Sequence, residues 1–252
     1  MRTLKLAALA LVLVAAAAVY GTTTATGSAF RDRFYTNRHC CDLSFGRALQ
    51  ATIAESRGSV FPSQIGQDKW VLFGVFPGVR DGYFLDVGSA DGTLESNSKA
   101  LEDRGWNGIC VDPFPTNMQG RRCAMMKEVV SSASGRIVKF RTSQLLGGIE
   151  DTLGKYKDQV AGSAVVEFTT VTVTEILDRN HAPPFINFMS LDIEGAELEA
   201  LKGIDFERYR FGAMAIEHND EEPKRSDILK FLDARGYRRV HSFKQDDFYA
   251  PK

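Results

Sequence analysis

Polar side chains follow four short apolar segments of the chain, each at a point where a strand would end. These groups contain Asp86, Asp112, Asp192 and His218. Because open α/β sheets bind ligands at the carboxyl ends of their strands, we expect the four groups to lie along one rim. Carboxylates and a histidine placed there can accept hydrogen bonds from a ligand, move a proton near neutral pH, or hold a cation.

The first group is a turn with the pattern D-x-G-x-x-x-G, which runs from Asp86 to Gly92. A strand, a glycine-containing turn and a helix N-terminus form a nucleotide-type pocket, and Gly88 and Gly92 let the backbone approach a ligand closely. The spacing differs from G-x-G-x-x-G and from the P-loop, so no pyrophosphate cradle is predicted. Asp112, roughly 20 residues after Gly92, is placed to bind two ribose hydroxyls. A helix cap or a solvated turn is the alternative for Asp112.

Asp192 ends the apolar segment 186–192 and Glu194 follows it, while His218 follows the segment 212–217. The two carboxylates can position a substrate, act as a base or hold a metal, and a histidine suits general-base work. We therefore name Asp192, Glu194 and His218 as candidate catalytic residues. The alternative for Glu194 is a cap on the following helix, and Glu197 is expected on the solvated face of that helix.

The composition excludes several classes of protein. The 252 residues are 44% hydrophobic, with 31 basic and 32 acidic side chains. Disordered chains have fewer apolar residues, and nucleic-acid binders usually carry a basic excess, so neither class is expected. Four cysteines without a C-x-x-C pair argue against a disulfide scaffold and against a zinc site.

The N-terminus carries an uncharged apolar segment, Leu6–Tyr20, preceded by Arg2 and Lys5. This pattern is typical of a cleaved signal peptide or of a single membrane anchor, and both readings stay open. Basic residues before the segment predict that the rest of the chain crosses the membrane, although three arginines in residues 31–38 oppose this. The protein is therefore expected to be membrane-anchored, or exported after cleavage.

The chain divides into a signal or anchor segment with its linker (1–29), an N-terminal helical extension (30–60) and one folded domain (61–252). From Tyr83 onwards, short apolar segments alternate with helical patterns, which predicts an α/β domain with a parallel sheet covered by helices on both faces. Strands are predicted over 83–88, 108–112, 124–130, 136–141, 165–173, 186–192, 212–217, 237–242 and 247–250, and helices over 45–55, 94–104, 196–202 and 226–235. The last two strands predict an antiparallel edge.

Taken together, these motifs resemble the FkbM-like methyltransferases, in the branch that also includes Star-type proteins. The resemblance covers about residues 60–250. The stretches that carry it are SQIGQDKWVL (63–72), FLDVGSADGTLESNSKALEDRGWNGICVDPFPTN (84–117), VTVTEILDRN (171–180), INFMSLDIEGAELEALKGIDF (186–206) and AIEHN (215–219).

The resemblance implies S-adenosylmethionine as the cofactor. It also implies a Rossmann-like sheet of seven strands in the order 3-2-1-4-5-7-6, with strand 7 antiparallel. Val130–Ser132 would lie beside the adenine, Asp112 at the ribose, and the glycine turn around the methionine part. The implied cofactor-binding residues are Asp86, Gly88, Ala90, Gly92, Asp112, Gln64 and Gln67.

The activity implied in this way is O-methylation of a small-molecule or glycan hydroxyl, such as a sugar, with residues 143–163 as a loop or lid over the acceptor. Some O-methyltransferases of this fold hold magnesium, and Asp192, His218 and Asn219 occupy comparable places. We expect a reaction without a metal and keep these three as the magnesium candidates. The alternatives are a non-catalytic, membrane-tethered interaction module and an NAD or nucleotide-sugar enzyme, which the missing G-x-G-x-x-G disfavours.

Overall fold

The computed structural model describes residues 59–143 and 146–252. They fall into two compact units. The smaller one contains, among its described residues, Lys69–Val79 with the π-helical segment Trp70–Val75, and the larger one consists of Phe61–Asp68 and Arg80–Pro251. The apolar leader, the linker and the helix predicted over 45–55 lie outside the described residues. No helix within the described ranges has the length and apolarity needed to cross a membrane.

Eleven strands and five α-helices are assigned within these ranges. The strands are β1 (Tyr83–Val87), β2 (Asn107–Val111), β3 (Ala124–Met126), β4 (Val129–Val130), β5 (Ile137–Arg141), β6 (Gly148–Ile149), β7 (Val165–Val171), β8 (Phe185–Leu191), β9 (Arg210–Glu217), β10 (Tyr237–Phe243) and β11 (Asp246–Pro251). The helices are α1 (Gln67–Lys69), α2 (Lys99–Glu102), α3 (Val173–Arg179), α4 (Glu197–Lys202) and α5 (Lys224–Asp233).

Seven strands form the main sheet, in the order β3-β2-β1-β8-β9-β11-β10. The pairs from β3 to β9 are parallel, whereas β11 runs antiparallel to both β9 and β10. Strands β1, β2, β8 and β9 are buried over most of their length, as expected for parallel strands covered on both faces. A mixed α/β fold with a seven-stranded sheet is therefore confirmed.

The helices α3, α4 and α5 supply apolar side chains to the main core. Ile176, Leu201 and Leu232 are each fully buried there, together with Leu85 and Met214 of the sheet. The side chain of Thr172 caps α3 by accepting a hydrogen bond of 3.1 Å from the backbone N–H of Glu175.

The fold differs from the expectation in one detail of sheet architecture. The strand predicted over 124–130 divides at Lys127 and Glu128 into β3 and β4, which belong to different sheets. Strands β4, β7, β5 and β6 form a second, four-stranded sheet in that order. The aromatic side chains of Phe140 and Phe168 pack on each other in this sheet, with ring centroids 5.8 Å apart.

The helix predicted over 94–104 is also shorter than expected. Asp91 Oδ1 accepts hydrogen bonds from the backbone N–H groups of Thr93 and Leu94, at 2.9 and 2.8 Å, and Glu95 has a φ of 55°. An aspartate that bonds to the backbone just after itself stabilises a turn in competition with a helix. The helix α2 therefore begins only at Lys99.

Candidate active site

The carboxyl ends of β1, β2, β8 and β9 meet at one edge of the main sheet, where a cavity of about 510 Å³ opens. This volume lies in the range typical of small-molecule sites. Most of the residues named from the sequence line it: Gln64, Gln67, Asp86, Gly88, Ala90, Asp112, Asp192, Glu194 and Asn219. Gly92 and His218 do not.

Asp112 lies at the end of β2 with its carboxylate fixed by two backbone groups. Oδ2 accepts a hydrogen bond from the Ala90 N–H at 2.9 Å, and Oδ1 accepts one from the Phe114 N–H at 2.7 Å. A carboxylate has about four acceptor positions, so two stay open for a ligand. Burial raises the pKa of Asp112, and the two N–H groups oppose that rise. The Asp112 side chain is thus oriented towards the cavity and can accept two hydroxyl hydrogens.

Asp86 and Ser89 line the cavity at the end of β1. The Ser98 hydroxyl donates a hydrogen bond of 2.5 Å to Asp86 Oδ2, and burial raises the pKa of Asp86. The hydroxyl of Ser89 is buried and has no hydrogen-bond partner among the residues that the structure describes. A buried hydroxyl without a partner is costly, so a polar ligand group at this point would remove the cost.

Gly88 brings the end of β1 into contact with the end of β8. Its φ is +87°, and a Cβ atom on it would lie 1.7 Å from the carbonyl oxygen of Asp192. No other residue type fits this position. Gly92 serves a different purpose, because it packs on Asn117 and donates its N–H to the Thr116 carbonyl at 2.9 Å. Gly92 therefore shapes the turn without lining the cavity.

Three carboxylates, Asp192, Glu194 and Glu217, line the cavity at the ends of β8 and β9, with oxygen atoms within 4.8 Å of one another. Burial and the charge of Glu194 raise the pKa of Asp192, while burial and the charge of Asp192 raise that of Glu217. Glu217 is 4% exposed, and within the described ranges its Oε2 has no hydrogen-bond partner. Three carboxylates this close together can share protons, accept a proton from a ligand, or attract a cation.

Glu194 is held in an unusual backbone conformation at the cavity wall. Its φ is 56°, it is 9% exposed, and its Oε2 lies 3.4 Å from the side-chain nitrogen of Asn219. Burial and the charge of Glu197 raise the pKa of Glu194 to about 7, while Lys224 and Lys155 act in the opposite direction. A carboxyl group with this pKa can take up a proton near neutral pH.

His218 lies behind the cavity rather than in its wall. The side chain is 1% exposed, its Nδ1 accepts a hydrogen bond of 2.9 Å from the Asp220 N–H, and its Nε2 lies 3.5 Å from Asp247 Oδ1. The imidazole thus connects the end of β9 to β11. His218 is not among the residues that line the cavity, so the catalytic role and the magnesium role given to it from the sequence stay predictions.

Glu197 corrects an expectation from the sequence. It is fully buried rather than solvated, and its Oε1 accepts hydrogen bonds from the N–H groups of Ile193 and Gly195, at 3.1 and 3.0 Å. Its other oxygen lies 3.2 Å from the ammonium group of Lys224. Glu197 therefore stabilises the turn that presents Glu194, and Glu194 does not cap the helix.

Several cavity residues were not named from the sequence. Glu217 is the most important of them, and its position as the last residue of an apolar strand was the available signal. Lys155 and Tyr156 come from the segment 143–163, whose described residues supply part of the cavity wall, as do Gln245 and Phe140. Only the folded chain brings these distant segments together.

The model of the methyltransferase FkbM domain family matches residues 86–239, which is more than half of the chain. This range includes β1, β2, β8 and β9 with the polar groups at their ends. No curated protein and no solved structure matches the chain. The chain belongs to the family defined by the methyltransferase FkbM domain.

Proposed function

We propose that the protein is an S-adenosylmethionine-dependent O-methyltransferase that acts on a polar hydroxyl acceptor such as a sugar. The observation that carries the proposal is a single cavity with two chemically different halves. One half, called here the cofactor half, is lined by the glycine turn and Asp112. The other, called the acceptor half, is lined by the carboxylates Asp192, Glu194 and Glu217. A group transfer needs both of its reactants side by side.

The cofactor half suits S-adenosylmethionine in shape and in hydrogen bonding. Asp112 has acceptor positions for two ribose hydroxyls, and Ser89 offers a hydroxyl that no other described residue bonds. Val130 and Phe140 supply an apolar wall for a flat ring. When bound, the cofactor supplies a methyl group on a positively charged sulfur.

Glu194 is the proposed general base in the acceptor half. In the transfer, the acceptor oxygen forms a bond to the methyl carbon while the carbon–sulfur bond breaks, and the hydroxyl proton passes to the Glu194 carboxylate. A base works best when its pKa lies near the working pH, and the pKa of Glu194 is about 7. Asp192 and Glu217 then orient the acceptor hydroxyl by hydrogen bonds.

We infer a reaction without a metal ion, although the three carboxylates lie close together. Lys155 and Lys224 lie near enough to lower the pKa of Glu194, and their positive charges oppose the binding of a divalent cation. Treatment with EDTA is therefore expected to leave the rate of transfer unchanged. A rate lost on EDTA treatment and restored by magnesium would contradict this inference.

The acceptor is proposed to be polar because the cavity wall is polar on the acceptor side. Lys155, Asn219 and Gln245 line it together with the carboxylates. The test uses the full chain, cofactor carrying an isotopic methyl label, and a panel of mono- and disaccharides with matched amines and carboxylic acids. Label transferred to a hydroxyl supports the proposal. Transfer to an amine or a carboxylate would contradict the O-methylation, and a folded protein that transfers no label to any acceptor would favour the non-catalytic module.

The proposed location is outside the cytosol, through a cleaved or retained N-terminal segment. The apolar segment Leu6–Tyr20 motivates this proposal, and the disulfide between Cys110 and Cys123 supports it. Disulfides persist in oxidising compartments and are rare in the cytosol.

A further inference from the structure

The guanidinium group of Arg121 is buried behind the glycine turn and has hydrogen-bond partners at all three of its nitrogens. Nε lies 3.2 Å from Glu102 Oε2, and both side chains are 1% exposed. Nη1 donates to the Gly92 carbonyl at 2.9 Å, and Nη2 donates to the Ser98 hydroxyl at 2.7 Å. The planar guanidinium can reach these three partners at once, which the single nitrogen of a lysine cannot.

Two of these partners lead directly to the cofactor half of the cavity. Gly92 ends the turn that begins at Asp86, so the bond to its carbonyl fixes the far end of that turn. Ser98 receives a hydrogen bond from Arg121 and donates its own to Asp86, which lines the cavity. Arg121 itself does not line the cavity, so it can act on a ligand only through the turn.

A disulfide bond restrains the loop that carries Arg121. A disulfide joins Cys110, in β2, to Cys123, just before β3, with the Cα atoms 5.9 Å apart. Glu102 accepts a further hydrogen bond of 3.0 Å from the Cys123 N–H. The disulfide thus closes a loop that contains both Asp112 and Arg121.

We propose that Arg121 is a positioning residue for the cofactor, and that the Cys110–Cys123 disulfide holds it in place. Arg121 fixes the glycine turn and the Asp86 carboxylate in the geometry that binds the ligand, and the disulfide fixes the loop that presents Arg121. Cofactor affinity therefore depends on the guanidinium and on the oxidation state of the two cysteines. The identity of the ligand, S-adenosylmethionine, rests on the proposed function.

The test compares Arg121→Lys with Arg122→Lys, a neighbour in the same loop whose side chain bonds to the Glu102 carbonyl and to neither Gly92 nor Ser98. Arg121→Lys keeps a positive charge beside Glu102, and the thermal midpoint of each variant reports on folding. We expect the dissociation constant for S-adenosylmethionine to rise about tenfold or more in Arg121→Lys, which corresponds to about 1.4 kcal/mol. We expect no change in Arg122→Lys. In turnover, the KM for the cofactor should rise while the KM for the acceptor stays the same.

A second readout does not need the cofactor. Hydrogen exchange at the amides of Ala90 and Phe114, which donate to Asp112, should be faster in Arg121→Lys and in wild type whose disulfide has been reduced. Unchanged exchange in both would overturn the proposal, as would unchanged cofactor affinity in Arg121→Lys. If the folded wild type binds no S-adenosylmethionine, the proposed function fails, and the exchange rates alone decide the role of Arg121.

Discussion

Glu194 combines burial, a strained backbone and neighbouring charges of both signs. Glu197 fixes the turn by accepting hydrogen bonds from two of its N–H groups, while Lys155 and Lys224 limit the rise in the pKa of Glu194. Residues held in rarely populated backbone regions are concentrated at functional sites. The conformation of Glu194, next to Gly195, therefore agrees with its proposed role as the base.

The substitution Glu194→Gln should lower kcat by about 10²- to 10⁴-fold, because no carboxylate is then present to accept the proton of the acceptor hydroxyl. The kcat of the wild type should rise with pH through about 7, as Glu194 loses its proton, and the variant should lack this rise. Glu199→Gln is the matched control, since Glu199 bonds to Ser132 and Lys202 and lies outside the cavity wall. A Glu194→Gln variant that keeps the pH dependence of the wild type would contradict the assignment.

The same residue should also affect the pH dependence of stability. The pKa of Glu194 is raised from 4.5 to about 7, so the folded state binds more protons than the unfolded state between these values. The contribution of Glu194 to the free energy of unfolding should therefore fall as the pH rises from about 4.5 to about 7. Urea titrations of wild type and Glu194→Gln across this interval measure it, and equal slopes against pH would contradict the raised pKa.

The sequence pattern predicts Asp192 and Glu194 as site residues, and it favours His218 over Glu217 as the third. Residue type favoured the histidine, since an imidazole titrates near neutral pH. The side chain of His218 instead contacts the N–H of Asp220, in the turn after β9, and the carboxylate of Asp247, in β11. A single strand end does not reveal which of two adjacent side chains faces the cavity, because that depends on the neighbouring strands.

At the scale of elements, the contact between the ends of β1 and β8 shapes the centre of the site. Gly88 allows this contact because it has no Cβ atom, and the carbonyl of Asp192 occupies the space that a Cβ would fill. The two strands are neighbours in the sheet, so the cofactor half and the acceptor half meet at this point.

Gly88→Ala should destabilise the protein by about 2–4 kcal/mol, because it adds a steric clash with rigid backbone to the strain of a positive φ. Gly120→Ala is the control. Gly120 has nearly the same φ, +83° against +87°, but no atom of the described residues lies within 4 Å of where its Cβ would stand, so Gly120→Ala should cost only about 1 kcal/mol. Chemical denaturation measures both values. Equal losses would show that the backbone contact with Asp192 contributes nothing.

The strands and helices were predictable to different degrees. Apolar runs located β1, β2, β8 and β9 to within two residues at either end, because strands buried on both faces consist of little else. The second sheet was not predicted, because its strands pair across long separations and β4 has only two residues. The helix over 94–104 was overestimated because the side-chain bonds from Asp91 compete with it.

At the scale of the whole molecule, the apolar N-terminal segment and the disulfide support the same location. The segment predicts export or anchoring, and the disulfide is stable in an oxidising compartment. In the cells that make the protein, the full chain should sediment with membranes or appear outside the cytosol, with Cys110 and Cys123 oxidised. A variant without residues 1–29 should stay in the cytosol. Full-length chain found soluble in the cytosol, with its N-terminus intact, would contradict the location.

Binding of S-adenosylmethionine to the whole protein tests the central claim most directly. Calorimetry on the wild type should detect binding with a micromolar dissociation constant. Asp112→Ala should weaken it by about 100-fold or more, because two hydrogen bonds to a charged group are lost. Asp103→Ala, a change at a half-exposed aspartate that pairs with Lys99, should leave the affinity unchanged. A folded wild type that binds no S-adenosylmethionine, at protein concentrations that detect micromolar affinity, would contradict the account.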